Sequence, residues 1–257
     1  MLQAHSFLWH YLWITPNVLL LSLGVLLLWS KDLHRRFPAF SAFAVLGGAA
    51  QLALYSADVA PSVSAPRFWH IYWGCLLLDA LLKIAVFAEI FSWLCNSYPA
   101  VARLGRSLIR GVAVCLIFAA VGAAAYAQRD NPSWLISGAH LLEQTIFVIE
   151  CGLLLFLFLF AGYFHLRWVR KSFGIAFGFA ISASVQLATW AVMANTGISV
   201  RGRTLLDFLN MATYHVCVLI WFYYLLSPDK SSSRTVARLP EHNLEVLNHE
   251  LERLLQR

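Results

Sequence analysis

Long apolar runs alternate with short polar connectors along the chain up to residue 226. Seven runs stand out, at 11–30, 39–57, 68–94, 107–128, 138–166, 173–195 and 205–226. Each is close to or above the roughly 20 residues that an α-helix needs to cross a hydrocarbon core. Pro38, Pro61, Pro66, Pro99 and Pro132 lie in or beside the connectors, where a missing N–H costs nothing. A bilayer offers the backbone no hydrogen-bond partners, so helices that satisfy themselves are expected, and strands are not. The pattern predicts an all-α polytopic membrane protein. Residues 1–226 form a seven-transmembrane-helix bundle, 227–239 a flexible linker, and 240–257 a short cytoplasmic amphipathic helix.

Composition agrees. Of 257 residues, 60% are hydrophobic and 12% charged, whereas a soluble domain carries about 25% charged residues. The formal net charge of +6 does not point to nucleic acid, because the basic residues are dispersed in short clusters between apolar runs. Cys75, Cys95, Cys115, Cys151 and Cys217 lie in or at the ends of apolar runs with no CxxC pair. They read as small apolar fillers and not as a disulfide framework.

The charges also orient the chain. Lys31, Arg35 and Arg36 follow the first run. Arg103, Arg106 and Arg110 follow the third, Arg167, Arg170 and Lys171 the fifth, and Lys230, Arg234 and Arg238 the seventh. The opposite side holds only Arg67, Arg129, Arg201 and Arg203. Lys and Arg concentrate in cytoplasmic loops, so the N-terminus is expected outside and the C-terminus in the cytoplasm. Trp9, Trp13, Trp69, Trp73 and Trp134 fall at the outer ends, and Trp29, Trp93, Trp168 and Trp221 at the inner ends. Both sets suit interfacial belts. The first basic residue is Lys31, so the first run reads as an uncleaved anchor.

Polar side chains inside the runs are the candidates for function, because charge at mid-bilayer is costly. Asp79 and Lys83 are spaced i, i+4 in the third run and can pair, and Glu89 follows them. The fifth run carries His140, Glu143, Gln144 and Glu150, the last at about the depth of Lys83. Ser182, Gln186 and Thr189 form a stripe on the sixth run. On the seventh, Asp207, Asn210 and Tyr214 share a side, with His215 at its margin. Bundles turn such stripes inward. The expectation is a polar, outward-opening cavity that handles a ligand or protons, made by Asp79, Lys83, Glu143, Glu150, Gln186, Asp207, Asn210, Tyr214 and His215. The plainer role of Asp79 and Lys83 is mutual neutralisation for packing.

No cofactor is expected. His140 and Glu143 make half of a carboxylate–histidine metal site, and His70 with His140 would be the pair for a haem. Retinal would need a lysine in the seventh run, which has none. No phosphate loop or nucleophile motif occurs. The tail helix has Leu244, Leu247, Leu251 and Leu254 at spacings of an apolar seam, flanked by Glu241, Glu245, Glu250 and Glu252. The seam favours association, with a second copy or a cytosolic partner, over binding to an anionic membrane.

The layout resembles a family of seven-helix membrane proteins of acidobacterial type. The resemblance rests on four stretches. They are His34-Arg35-Arg36-Phe37-Pro38; Tyr98-Pro99-Ala100-Val101-Ala102-Arg103-Leu104-Gly105-Arg106; Arg170-Lys171-Ser172-Phe173-Gly174; and the Trp221 region. It covers most of residues 10–228. It implies a bacterial inner-membrane location and no particular activity. From the residues themselves, a sensory or ligand-binding module is the first functional expectation. A transporter or proton conductor using Asp79, Lys83, Glu150 and His215 is the second, and a metal-dependent membrane enzyme the third.

Overall fold

A computed structural model describes residues 7–94, 133–163, 168–195 and 200–227, with isolated helical positions at Gly111, Val114, Phe118 and Gly122. The fourth expected span lies outside the described residues, apart from those positions. So do the linker and the tail helix with Leu244, Leu247, Leu251 and Leu254.

Every regular element among the described residues is helical. We number them α1 (Phe7–Trp29), α2 (Lys31–Arg36), α3 (Pro38–Val59), α4 (Ala65–Leu94), α5 (Ser133–Tyr163), α6 (Arg170–Asn195) and α7 (Val200–Leu226). Five are long and apolar enough to cross a membrane: α1, α3, α5 over Leu142–Tyr163, α6 over Arg170–Met193, and α7 over Arg201–Leu226. The expected count of seven is wider than this. The third expected span is present as the 30-residue α4, which carries Asp79, Lys83 and Glu89 within about three turns and is not among the five. Side chains such as Val25, Leu28, Leu155, Leu159, Val216 and Leu219 stand exposed on the outside of the helices. A soluble protein would bury an apolar surface of this kind; here it faces lipid. The chain is a helical membrane protein.

The connector between the first two spans is itself structured. In α2, Asp32 sits in the first turn and Arg35 and Arg36 in the last, as the helix dipole favours. Phe37 then breaks the helix with a non-helical backbone and is fully buried. Pro38 starts α3 where a missing N–H is harmless. The free N–H groups of the next turn find a carboxylate from another helix. Ala39 and Phe40 donate to the two oxygens of Glu89 on α4, each at 3.1 Å. Glu89, read from sequence only as an intramembrane charge, is thus the cap of α3.

Below the middle of the bundle the core is aromatic. Trp221 of α7 packs against Phe179 of α6, with ring centroids 4.8 Å apart, and edge-on against Phe40 and Phe43 of α3. Phe87 of α4 closes on Phe179 from the far side. Trp221 donates its indole N–H to the Ile175 carbonyl at 3.1 Å, so the buried ring leaves no orphan donor.

Glycines permit this packing. Gly174 and Gly178, four apart on α6, lie directly against Tyr224 and Trp221, a close approach of small residues common between membrane helices. A Cβ at Gly178 would run into the Trp221 indole nitrogen. Gly178→Val is expected to lower thermal stability in detergent by about 1–3 kcal/mol, the usual cost of overpacking. Gly152→Ala, which meets nothing within 4 Å, serves as the control. Equal melting of the two variants would contradict the close α6–α7 contact.

Between Phe43 and Gly47, α3 makes a π-turn. The inserted residue re-aims the helix beyond it. Gly24 of α1 nests against this turn, where a Cβ would sit 2.6 Å from Val45 Cγ2. The turn delivers Gln51 and Leu54 to the interior space that α1 and α4 border.

Candidate functional site

Above the aromatic layer, in the half of the bundle where α1 begins and α3 ends, lies a cavity of about 330 Å³. Phe43, Phe179 and Trp221 belong to both the layer and the cavity lining. They form its floor.

The charged side wall comes from α4 and α5. Lys83 Nζ lies 3.1 Å from Asp79 Oδ2, one turn away on the same helix, and 3.1 Å from Glu150 Oε2 across the bundle. Lys83 therefore serves both carboxylates. Their exposures differ: 25% for Asp79, which borders the cavity, and 3% for Glu150, which lies behind it. Lys83 also sits 5.9 Å from the ring centroid of Phe147, a cation–π contact. The second oxygen of Glu150 is buried with no hydrogen-bond partner among the described residues. Higher on the same stripe of α4, the Tyr72 hydroxyl donates to Glu143 of α5.

Asp79, Lys83, Glu143, Gln186, Asn210 and Tyr214, all expected from sequence, line this one cavity. Asn210 accepts a hydrogen bond from Thr189 of α6 at 3.1 Å, tying the α6 and α7 stripes together. Glu150 is reached only through Lys83. Asp207 and His215 are not among the residues that line this cavity. Asp207 is one turn nearer the start of α7 than Asn210, beyond the cavity. His215 follows Tyr214 by a single residue, about 100° around the helix, and stacks on Tyr11 of α1 with 6.3 Å between ring centroids.

Sequence reasoning missed the contribution of α1 and α3. Asn17 and Gln51 line the cavity. Each is a single amide inside an otherwise apolar stretch, and that was the available signal. Asn17 is 3% exposed, and its amide N–H donates to the Trp13 carbonyl at 2.8 Å. Its Oδ1 is buried with no partner among the described residues. Tyr72 was also missed, because an aromatic near a span end reads as a membrane-interface anchor.

The candidate metal ligand Glu143 is engaged by Tyr72, and the side chain of His140 lies outside the described residues. Among the described residues no three His, Cys, Asp or Glu side chains converge as a metal site. His70 turns to the Pro66 carbonyl at 2.6 Å, and His10 to the Tyr55 hydroxyl at 2.8 Å.

No protein-family model matches the chain, and comparison with curated proteins and solved structures found no match.

Proposed function

We propose that the chain is a sensory or ligand-binding membrane module of seven helices. Its cavity would face outside, and its leucine-rich tail would pass a change to a partner or a second copy. The blind cavity carries this reading. A space of about 330 Å³ suits one small molecule, and a mostly apolar wall with a few placed polar groups is the usual make-up of such a site. A conducting pathway would need polar groups to continue below it. Instead, Phe43, Phe179 and Trp221 close the floor, with Phe87, Ile90 and Leu157 in the same buried cluster. His215, one member of the proton relay of the transporter reading, faces Tyr11 and not the Lys83 group. The half of the bundle that holds the cavity is also the half that the Lys and Arg asymmetry assigns to the outside. The sequence resemblance supports a bacterial inner membrane.

Two measurements test this. In liposomes loaded with a pH-sensitive dye, the purified protein is expected to relax an imposed pH step no faster than protein-free vesicles do. Flux that disappears in Glu150→Gln would replace the binding module with a proton conductor. A reporter fused after Arg257 is expected to behave as cytoplasmic, and one placed before Leu2 as exported.

A further inference from the structure

The cavity's chemistry narrows what it would hold. Building on the ligand-binding reading, we infer that the ligand is a protonated amine with N–H donors on an apolar or aromatic body.

Carboxyl groups outnumber cationic side chains at the wall. Asp79 and Glu143 both line the cavity, and Lys83 is the one lysine or arginine among the described lining residues. That ammonium is already shared between Asp79 and Glu150. Two carboxyl groups share one ammonium at the base of the wall, so no cation there is spare for an anionic ligand. Asn17 points the same way. One of its two amide N–H groups goes to the Trp13 carbonyl, and its carbonyl oxygen is buried without a donor among the described residues. Buried acceptors of this kind are normally satisfied.

The remaining surface is aromatic. Trp13, Tyr72, Phe179, Tyr214 and Trp221 all contribute to the lining. Their ring faces carry the negative end of the quadrupole and attract a cation, most strongly where water is excluded. A carboxylate ligand would meet ring faces and carboxylates. A neutral hydrocarbon would leave Asn17 Oδ1 without a donor and Asp79 still sharing its one ammonium with Glu150. An ammonium on an apolar body satisfies both sets.

Cys75 provides the readout. It lines the cavity one turn from Asp79, is in no disulfide, and donates its thiol to the Ala50 carbonyl at 3.7 Å. The full-length protein in detergent is treated with methyl methanethiosulfonate, a small neutral reagent, and modification of the Cys75 peptide is followed by mass spectrometry. Three size-matched competitors are compared at millimolar concentration: 2-phenylethylammonium, 2-phenylethanol and phenylacetate. Only the ammonium is expected to slow the labelling of Cys75. Its protective potency is expected to fall about tenfold in Asn17→Leu and in Asp79→Asn, the size of one lost charge-assisted hydrogen bond. Asn17→Leu leaves the Lys83 group intact and separates this effect from a general loss of structure. Protection by the alcohol or the carboxylate as strong as that by the ammonium, or by none of the three, overturns the amine inference and leaves an accessible cavity standing. If Cys75 resists the reagent in the folded protein but reacts after denaturation, the ligand-binding reading itself falls.

Discussion

Lys83→Met is expected to destabilise the folded protein by about 3–5 kcal/mol, the range seen when one partner of a buried ion pair is removed. The methionine fills similar volume, so the loss comes from charge and not from a void. What remains is Glu150, 3% exposed, together with Asp79 at 25%. Glu150 bears most of the penalty, because one of its oxygens already lacks a partner among the described residues and the other loses the Lys83 ammonium that donates to it. Adding Glu150→Gln to Lys83→Met is therefore expected to recover more stability than adding Asp79→Asn. Thermal unfolding of the single and double variants in one detergent measures both statements. Parent-like melting of Lys83→Met would mean that the lysine does not hold the two helices together.

Trp221→Ala is expected to cost a similar amount, about 3–5 kcal/mol for a large aromatic removed from a packed core. The indole is 1% exposed and touches rings from two other helices. Its loss would also take away the cavity floor and merge the space left behind with the chamber above. Trp221→Phe keeps most of the ring and loses the bond to the Ile175 carbonyl. It is expected to cost about 1 kcal/mol. The two variants separate packing from hydrogen bonding when melted side by side. If Ala costs no more than Phe, the aromatic layer is not what closes the bundle.

Five of the expected spans were legible in the sequence because apolar run length is a direct requirement of the bilayer. The inward face was legible wherever several polar residues repeat at helical spacing. The pairs Asp79–Lys83 and Gln186–Thr189 and the pair Asn210–Tyr214 gave away the sides of α4, α6 and α7 that meet. Single polar residues carry no such period. Asn17 and Gln51 each stand alone in their runs, so nothing local marked their faces as interior. Glu89 shows a different limit. Its partners are two backbone N–H groups 49 and 50 residues earlier, and no pattern along one helix encodes a cap supplied by another. The spacing of Gly174 and Gly178 is plain in the sequence, but the residues that press against them are known only once α7 is in place. His215 was placed inward on a single-residue margin, and about 100° per residue was enough to turn it toward α1.

The order in which Lys83 meets its two carboxylates follows from their places in the chain. Asp79 is four residues earlier and leaves the ribosome with it, while Glu150 comes 67 residues later. At about 5–20 residues per second, that gap lasts roughly 3–13 s. Through those seconds Asp79 is the counter-ion already at hand. A lysine entering alone is costly at the helix centre, roughly 2.5–3.5 kcal/mol on insertion scales, and a paired i, i+4 neighbour lets α4 enter with that charge neutralised. The fifth span then brings a second carboxyl group to a site that is already balanced, and the finished group holds two carboxyl groups to one ammonium. Asp79 serves the birth of the helix, Glu150 its final seat, and one ammonium joins the two stages.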